Sequence, residues 1–280
     1  MLHLHNARLF CAIGVAARDG GPCFRCRGRL TLPGLVLNCR ESLPEAAVYA
    51  AALSLHQPRV YDAVDRFLAP SGYAVGQLAK LGVPRDRLEP LPHYLPPEAF
   101  AERSRADEGS YALVAARLSP EKGIDTAIEA ASAAGVPLRI VGEGPAEVEL
   151  RRLAERLGAP VEFLGRVRTE RVAELLAQAA MLVLPSRYHE FAPYAVLEAM
   201  AAGVPVAATR LGGLPELVGP NALVPRNDAV TLAARMNALW EDPGSRREEG
   251  EAALERARER HGQALFTERL LGVYERLLSA

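Results

Sequence analysis

The feature that most restricts this chain is a regular alternation running from Ser110 to about residue 240. Short apolar runs at 111–116, 138–141, 161–164, 181–184, 205–209 and 222–224 read as strands, and stretches with helical apolar spacing separate them. Helices are expected over 125–134, over 146–157 between Pro145 and Gly158, and over 170–179 with Thr169 as N-cap. Parallel strands need crossovers long enough to hold a helix, so this pattern predicts a doubly wound parallel sheet and an α/β fold. Ligands in such sheets bind at the carboxyl ends of the strands. The polar and glycine-rich loops of this sequence fall at those ends.

Residues 1–97 are organised differently. Strand candidates occur at 2–5, 67–69 and 88–91, with helices over 44–64 and 71–81 between them. That is thin for a Rossmann-like domain. The strand at the very start has nothing before it, although interior strands of a parallel sheet pair on both edges. The expectation is an incomplete N-terminal domain whose front is missing or supplied by a second chain. Residues 98–109 read as a linker and 110–260 as the second domain. Residues 261–280 read as a helix whose apolar positions Leu265, Leu270, Leu271, Tyr274, Leu277 and Leu278 pack on another surface.

Composition narrows the function classes. Apolar residues are 49% of the 280, enough for a sizeable core, and the net charge of −1 argues against nucleic acid as the main partner. Within residues 1–40, however, six arginines face a single aspartate. This stretch is either a solvated surface or one that meets an anionic acceptor or a membrane. The apolar run 46–55 is too short to cross a bilayer and follows Pro44, so it reads as a buried helix. Without a signal peptide or span, a cytoplasmic location is expected, with peripheral contact at the inner membrane face as the alternative.

The four cysteines are Cys11, Cys23, Cys26 and Cys39, and Cys23 and Cys26 sit on a Gly-rich turn. The pattern matches a four-thiolate structural zinc site, with free structural thiols as the other reading. The histidines show no metal-ligand spacing and are not read as a metal set.

Two carboxylates eight residues apart, Glu190 and Glu198, carry the sharpest chemistry. Glu190 lies in a loop after an apolar strand, at the mouth of a site, and Glu198 lies in a helix opened by Pro193 at its first position and closed by Gly203. Free N–H groups at that helix start favour an anion, so the pair suits a ligand with phosphate and hydroxyls, such as a nucleotide sugar. Arg117 and Lys122 flank a turn opening another helix, and Lys122 is one of only two lysines against 31 arginines. A guanidinium fork and a compact ammonium could together clamp a diphosphate, although either alone reads as an ordinary surface charge. Gly142-Glu143-Gly144 and Gly165-Arg166-Val167 end the next strands, and Gly212-Gly213 ends another. A dinucleotide fingerprint fails, because Glu147 stands where its third glycine belongs.

Together these motifs, in this order, resemble retaining glycosyltransferases of the GT-B fold, family four. The likeness is strong over 110–240. It is weaker in the N-terminal third, where Leu4-His5-Asn6, Arg8-Leu9, Cys11 and the Cys23–Cys26 pair resemble a cysteine-containing subgroup. The resemblance implies a complete C-terminal donor domain and transfer of a hexosyl group from a UDP- or GDP-sugar to a carbohydrate or lipid-linked acceptor, without a catalytic metal. Arg117 and Lys122 would hold the diphosphate, assisted by backbone N–H groups near Tyr194 and Ala195 where Pro193 opens the helix. Glu198 would bond the ribose and Glu190 the donor sugar. Gly142, Glu143, Gly144, Arg166 and Val167 would edge the nucleotide, and His5 would stand near the reaction centre. The last helix would cross back to the N-terminal domain. Two departures stand out: roughly the first hundred residues of the family pattern are absent, and His189-Glu190-Phe191-Ala192-Pro193 replaces the commoner Glu-Gly-Phe-Gly. The alternative function is a non-catalytic nucleotide-sugar-binding subunit that needs a partner.

Overall fold

A computed structural model describes residues 1–279. The apolar runs of the second half become six parallel strands: β4 (Ala112–Ala115), β5 (Leu138–Val141), β6 (Val161–Gly165), β7 (Met181–Leu184), β8 (Val206–Thr209) and β9 (Leu223–Val224). Their spatial order is β9-β8-β7-β4-β5-β6. The chain therefore winds outward from β4 in one direction, then restarts at β7 in the other. The gap between the carboxyl ends of β4 and β7 is the switch point at which such sheets bind ligands.

Helices cover both faces. On one side lie α3 (Ile124–Ala134), α4 (Glu147–Leu157) and α7 (Ala229–Glu241), over a core that includes Val114, Ile128, Leu138, Ile140, Met181 and Met236. On the other lie α5 (Thr169–Leu176), α6 (Tyr194–Ala201) and α8 (Pro243–His261), around Leu113, Leu182, Leu197, Met200 and Ala257. Two expected caps move by one residue. Thr169 lies inside α5, with Arg168 as its N-cap. Pro193 caps α6 in an extended conformation instead of starting it, because its ψ of 127° points away from the helical region.

The N-terminal sheet holds β1 (Leu2–His3), β2 (Phe67–Ala69) and β3 (Leu88–Pro90), all parallel, in the order β1-β2-β3. Between β1 and β2 runs α1 (Leu43–Ala63), and between β2 and β3 runs α2 (Gly72–Leu81). The expectation that 46–55 is buried is wrong. In α1 only Ala46 and Gln57 are buried, while Leu43, Val48 and Leu55 are exposed. The helix packs against the short Leu32–Val36 helix, Gln57 donates to the carbonyls of Leu9 and Gly28, and Val60 and Tyr61 reach the N-terminal core, which leaves its first half largely exposed.

The last helix, α9 (Gln263–Leu278), lies against the N-terminal sheet. Its Phe266, Leu270, Val273 and Leu277 pack with Met1, Leu68 and Leu91, and Arg276 pairs with Glu89 at 2.7 Å. Leu271, Tyr274 and Leu278, expected in the packed stripe, are exposed. Residues 96–109 are strapped down: Ser104 donates to the Gly203 carbonyl at 2.5 Å, and buried Arg246 donates to the carbonyls of Ala106 and Asp107.

Candidate active site

Lys122 and Glu190 meet at the switch point. Lys122 sits in the turn after β4 and Glu190 in the loop after β7. The Lys122 Nζ donates to Glu190 Oε1 at 2.7 Å and to the Tyr188 hydroxyl at 3.1 Å. Ser186 Oγ donates to the same Oε1 at 2.8 Å, and the Tyr188 hydroxyl donates to Oε2 at 2.6 Å. Glu190 is therefore not an acid at the mouth of a site: it is 5% exposed and held by three donors. Burial first, then the Glu190 charge, push the Tyr188 phenol far above its ordinary range, so it stays a donor. Sequence reasoning missed Ser186 and Tyr188. Their proximity to Glu190 in the chain is a signal, but a loop conformation decides whether they turn inward.

The loops that converge here are fixed by backbone contact. Gly142 has a φ of +133°, and a Cβ there would overlap the Ala116 carbonyl oxygen. The Leu118 N–H donates to the Glu143 carbonyl at 3.0 Å. The Gly142-Glu143-Gly144 turn therefore braces the Arg117 loop, which accounts for the glycine with no ligand invoked. Likewise a Cβ on Gly212 would overlap the Glu190 carbonyl oxygen, which accepts from the Gly213 N–H at 2.7 Å.

An open cavity of about 790 Å³ gathers Arg117, Gly142, Glu143, Gly144, Arg166, Val167, Ala195 and Glu198. The volume is in the range of small-ligand sites. Glu198 projects from α6, and burial raises its carboxyl above the ordinary value. Tyr194 and Ala195 are the first residues of α6, so their N–H groups have no acceptor within the helix. Lys122 and Glu190 do not line this cavity. Glu190 and His5 instead share a narrower cleft of about 100 Å³ between the two sheets. Arg117 also lines a cleft of about 480 Å³ with Arg18 and Arg40 of the N-terminal segment. The expected Arg117–Lys122 clamp is thus divided: Lys122 is committed to Glu190, and Arg117 stands exposed at the junction of two cavities.

The two sheets grip each other beside this site. Ser71 Oγ donates to the Phe191 carbonyl at 2.7 Å, and Glu216 accepts from the N–H groups of Gly72 and Tyr73 at 2.8 and 2.5 Å. The Tyr73 hydroxyl meets His189 Nδ1. Burial, then Arg226, lowers the His189 imidazole below its ordinary value.

Cys11, Cys23, Cys26 and Cys39 line one pocket, but among the described residues no three of their sulfurs lie within 4.8 Å of one another, so the four-thiolate arrangement expected from their spacing is not assembled. Cys39 lies 3.6 Å from an Arg18 nitrogen, and burial pushes the Cys26 thiol up to about 11. Among the described residues, the one group of three or more metal-ligand atoms within 4.8 Å of one another is His3, His5 and His93. Spacing along the chain did not show this group, because His93 reaches the other two only through the sheet. No helix among the described residues is long and apolar enough to cross a membrane.

Comparison with known proteins follows the same division. The family model described as "Glycosyl transferases group 1" matches residues 97–256. The chain is 38% identical over 186 residues to the exopolysaccharide phosphotransferase SCO2592 of Streptomyces coelicolor, covering 62% of this chain and 19% of that protein. It is 35% identical over 169 residues to the GDP-mannose-dependent monoacylated alpha-(1-6)-phosphatidylinositol monomannoside mannosyltransferase of Corynebacterium glutamicum, covering 56% of this chain and 43% of that one. The chain thus spans less than half the length of either relative. The crystal structure of Anabaena Alr3699/HepE in complex with UDP superposes with a TM-score of 0.73 at 20% identity, covering all of this chain and 72% of that one. At that identity the likeness shows the fold alone, the GT-B arrangement of two Rossmann-like sheets.

Proposed function

The chain belongs to the glycosyl transferases group 1 family, and on that premise we propose that it moves a hexosyl group from a nucleotide-diphosphate sugar to an acceptor hydroxyl with retention of configuration. The observation that carries this reading is the Lys122–Glu190 pair, supplied by the loops of the two strands that flank the switch point. UDP in the Anabaena structure and GDP-mannose in the name of the Corynebacterium relative support a nucleotide-sugar donor, without choosing between the bases.

In this reading the nucleotide lies in the cavity lined by Gly142, Glu143, Gly144, Arg166 and Val167, and Glu198 accepts from the ribose hydroxyls. The diphosphate reaches from Arg117 toward the α6 N-terminus at Tyr194 and Ala195, where Pro193 leaves the N–H groups free. Lys122 approaches it from the other side. Glu190 accepts from donor-sugar hydroxyls and favours the positive charge that develops at the anomeric carbon. The bond from that carbon to the phosphate oxygen breaks as the bond to the acceptor oxygen forms on the same face. The acceptor's proton passes to the departing phosphate. His5, lining the cleft with Glu190, borders the acceptor.

The acceptor is a carbohydrate or lipid-linked saccharide. Exposed Leu43, Val48 and Leu55, together with the arginines of residues 1–40, support a face that meets a lipid surface. The same reading divides the chain into an acceptor-side unit at 1–97, a connection at 98–109, a donor unit at 110–260 and the returning helix at 261–280.

The test is transfer or hydrolysis of labelled UDP- and GDP-sugars, with the anomer of the product read by NMR. Activity should disappear in Glu190→Ala and in Lys122→Ala. Activity retained in both variants, or an inverted product, would sink the assignment. Tight nucleotide binding by calorimetry with no turnover would instead favour a binding subunit.

A further inference from the structure

We propose that His3, His5 and His93 form a three-imidazole site for a first-row transition ion of the zinc type, at the seam between the N-terminal sheet and helix α6. The site adjoins the cleft that holds Glu190, and its test reads ion uptake without sugar transfer. His3 ends β1, His5 follows two residues later, and His93 arrives from the segment after β3. One nitrogen from each ring lies within 4.8 Å of the others. The ring centroids are 4.3 Å apart for His3 and His5, 5.0 Å for His5 and His93, and 5.9 Å for His3 and His93.

His3 Nε2 is buried and has no hydrogen-bond partner among the described residues. Buried polar atoms are nearly always paired, so an orphaned ring nitrogen inside a cluster of imidazoles points to a ligand. His93 is buried and His3 is half-buried, which limits the freedom of two members of the set. The His93 carbonyl bonds His261 Nδ1 at 2.8 Å, and the Leu95 N–H donates to the His261 carbonyl at 2.9 Å. The Tyr194 ring stacks on His93 at 4.5 Å. His3 is held in register against Leu68. His5 is exposed and can turn its ring to close the set around an ion at about 2.0–2.1 Å.

The donor chemistry selects the ion. Three neutral nitrogens with no carboxylate suit Zn²⁺, Co²⁺, Ni²⁺ or Cu²⁺, and not Mg²⁺ or Ca²⁺, which take oxygen. Three imidazoles leave a fourth position open for water or an oxygen ligand. His5 also lines the cleft that holds Glu190, so a bound ion borders that cleft.

The test is titration of the chelator-treated full chain with Co²⁺, followed by absorbance. Histidine-bound Co²⁺ should give visible d–d bands without the near-ultraviolet charge-transfer band that thiolate ligands produce. Added Zn²⁺ should bleach those bands. His3→Gln and His93→Gln should each weaken uptake at least about tenfold, while Cys23→Ser with Cys26→Ser should leave it unchanged. His5→Gln, at an exposed position, covers the case in which a buried variant fails to fold. The proposal is overturned if micromolar Co²⁺ gives no visible bands. It is also overturned if the bands carry thiolate charge transfer and persist in the histidine variants.

Discussion

Replacing Lys122 by methionine keeps the aliphatic stem and removes the charge that faces Glu190. At 2.7 Å the pair attracts by about 6 kcal/mol at an effective dielectric of about 20. That gross figure is offset by desolvation of both ions, and the Ser186 and Tyr188 hydroxyls still serve Glu190 after the change. Stranding a buried carboxylate costs about 3–5 kcal/mol when nothing else serves it. With two hydroxyl donors remaining, Lys122→Met should cost about 2–4 kcal/mol. Adding Glu190→Gln removes the stranded charge, so the double variant should recover at least about 1.5 kcal/mol of that loss. Trp240 is the only tryptophan and packs against the core of the larger sheet, so its fluorescence in urea reports the transition. A cost below about 1 kcal/mol for Lys122→Met, or no recovery in the double variant, would show that Glu190 is not held as a buried ion. The arrangement at the switch point would then be misread.

Tyr188→Phe removes the 2.6 Å donor to Glu190 Oε2 and should destabilise the chain by about 1–3 kcal/mol. Its sugar-transfer rate should fall while nucleotide affinity by calorimetry holds. Glu198→Gln should act through pH. Burial raises the folded carboxyl, so ionising it costs the folded state above the folded pKa, and that cost vanishes below the unfolded value. The variant should therefore be more stable than the parent near neutrality, with the gap closing as pH falls through the carboxylate range in thermal melts. Glu216→Ala should free the N-terminal amides of α2 and cost about 1–2 kcal/mol in urea. It should also expose the seam between the sheets to limited proteolysis. Gly142→Ala should be severely destabilising, because its φ of +133° and the Ala116 carbonyl leave no room for a Cβ, and soluble yield reads this directly.

The donor-side sheet was legible because its apolar runs and crossovers obey short-range rules. Strands at 138–141 and 181–184 coincide with those observed, since a buried parallel strand needs a continuous apolar run. Arg117 and Glu198 line one cavity, as expected of loops and helix starts that a sheet of this kind gathers at one edge. The order β9-β8-β7-β4-β5-β6 followed in class but not in detail, because which strands become neighbours is a long-range choice. Exposure of α1 was not legible: its apolar content says that it can be buried, and only neighbours decide whether it is.

The chain by itself thus determined the period, the caps within a residue, and the chemical types set at the carboxyl ends of the strands. Tertiary structure decided pairings across the chain. Lys122 reaches Glu190 across 68 positions, Ser71 reaches the Phe191 carbonyl across 120, and His93 joins His3 and His5 through the N-terminal sheet. Local propensity acts over a few residues and is written in the order of the side chains. Salt bridges, orphaned nitrogens and the burial of a carboxylate depend on distances in space, which exist only once the sheets have formed.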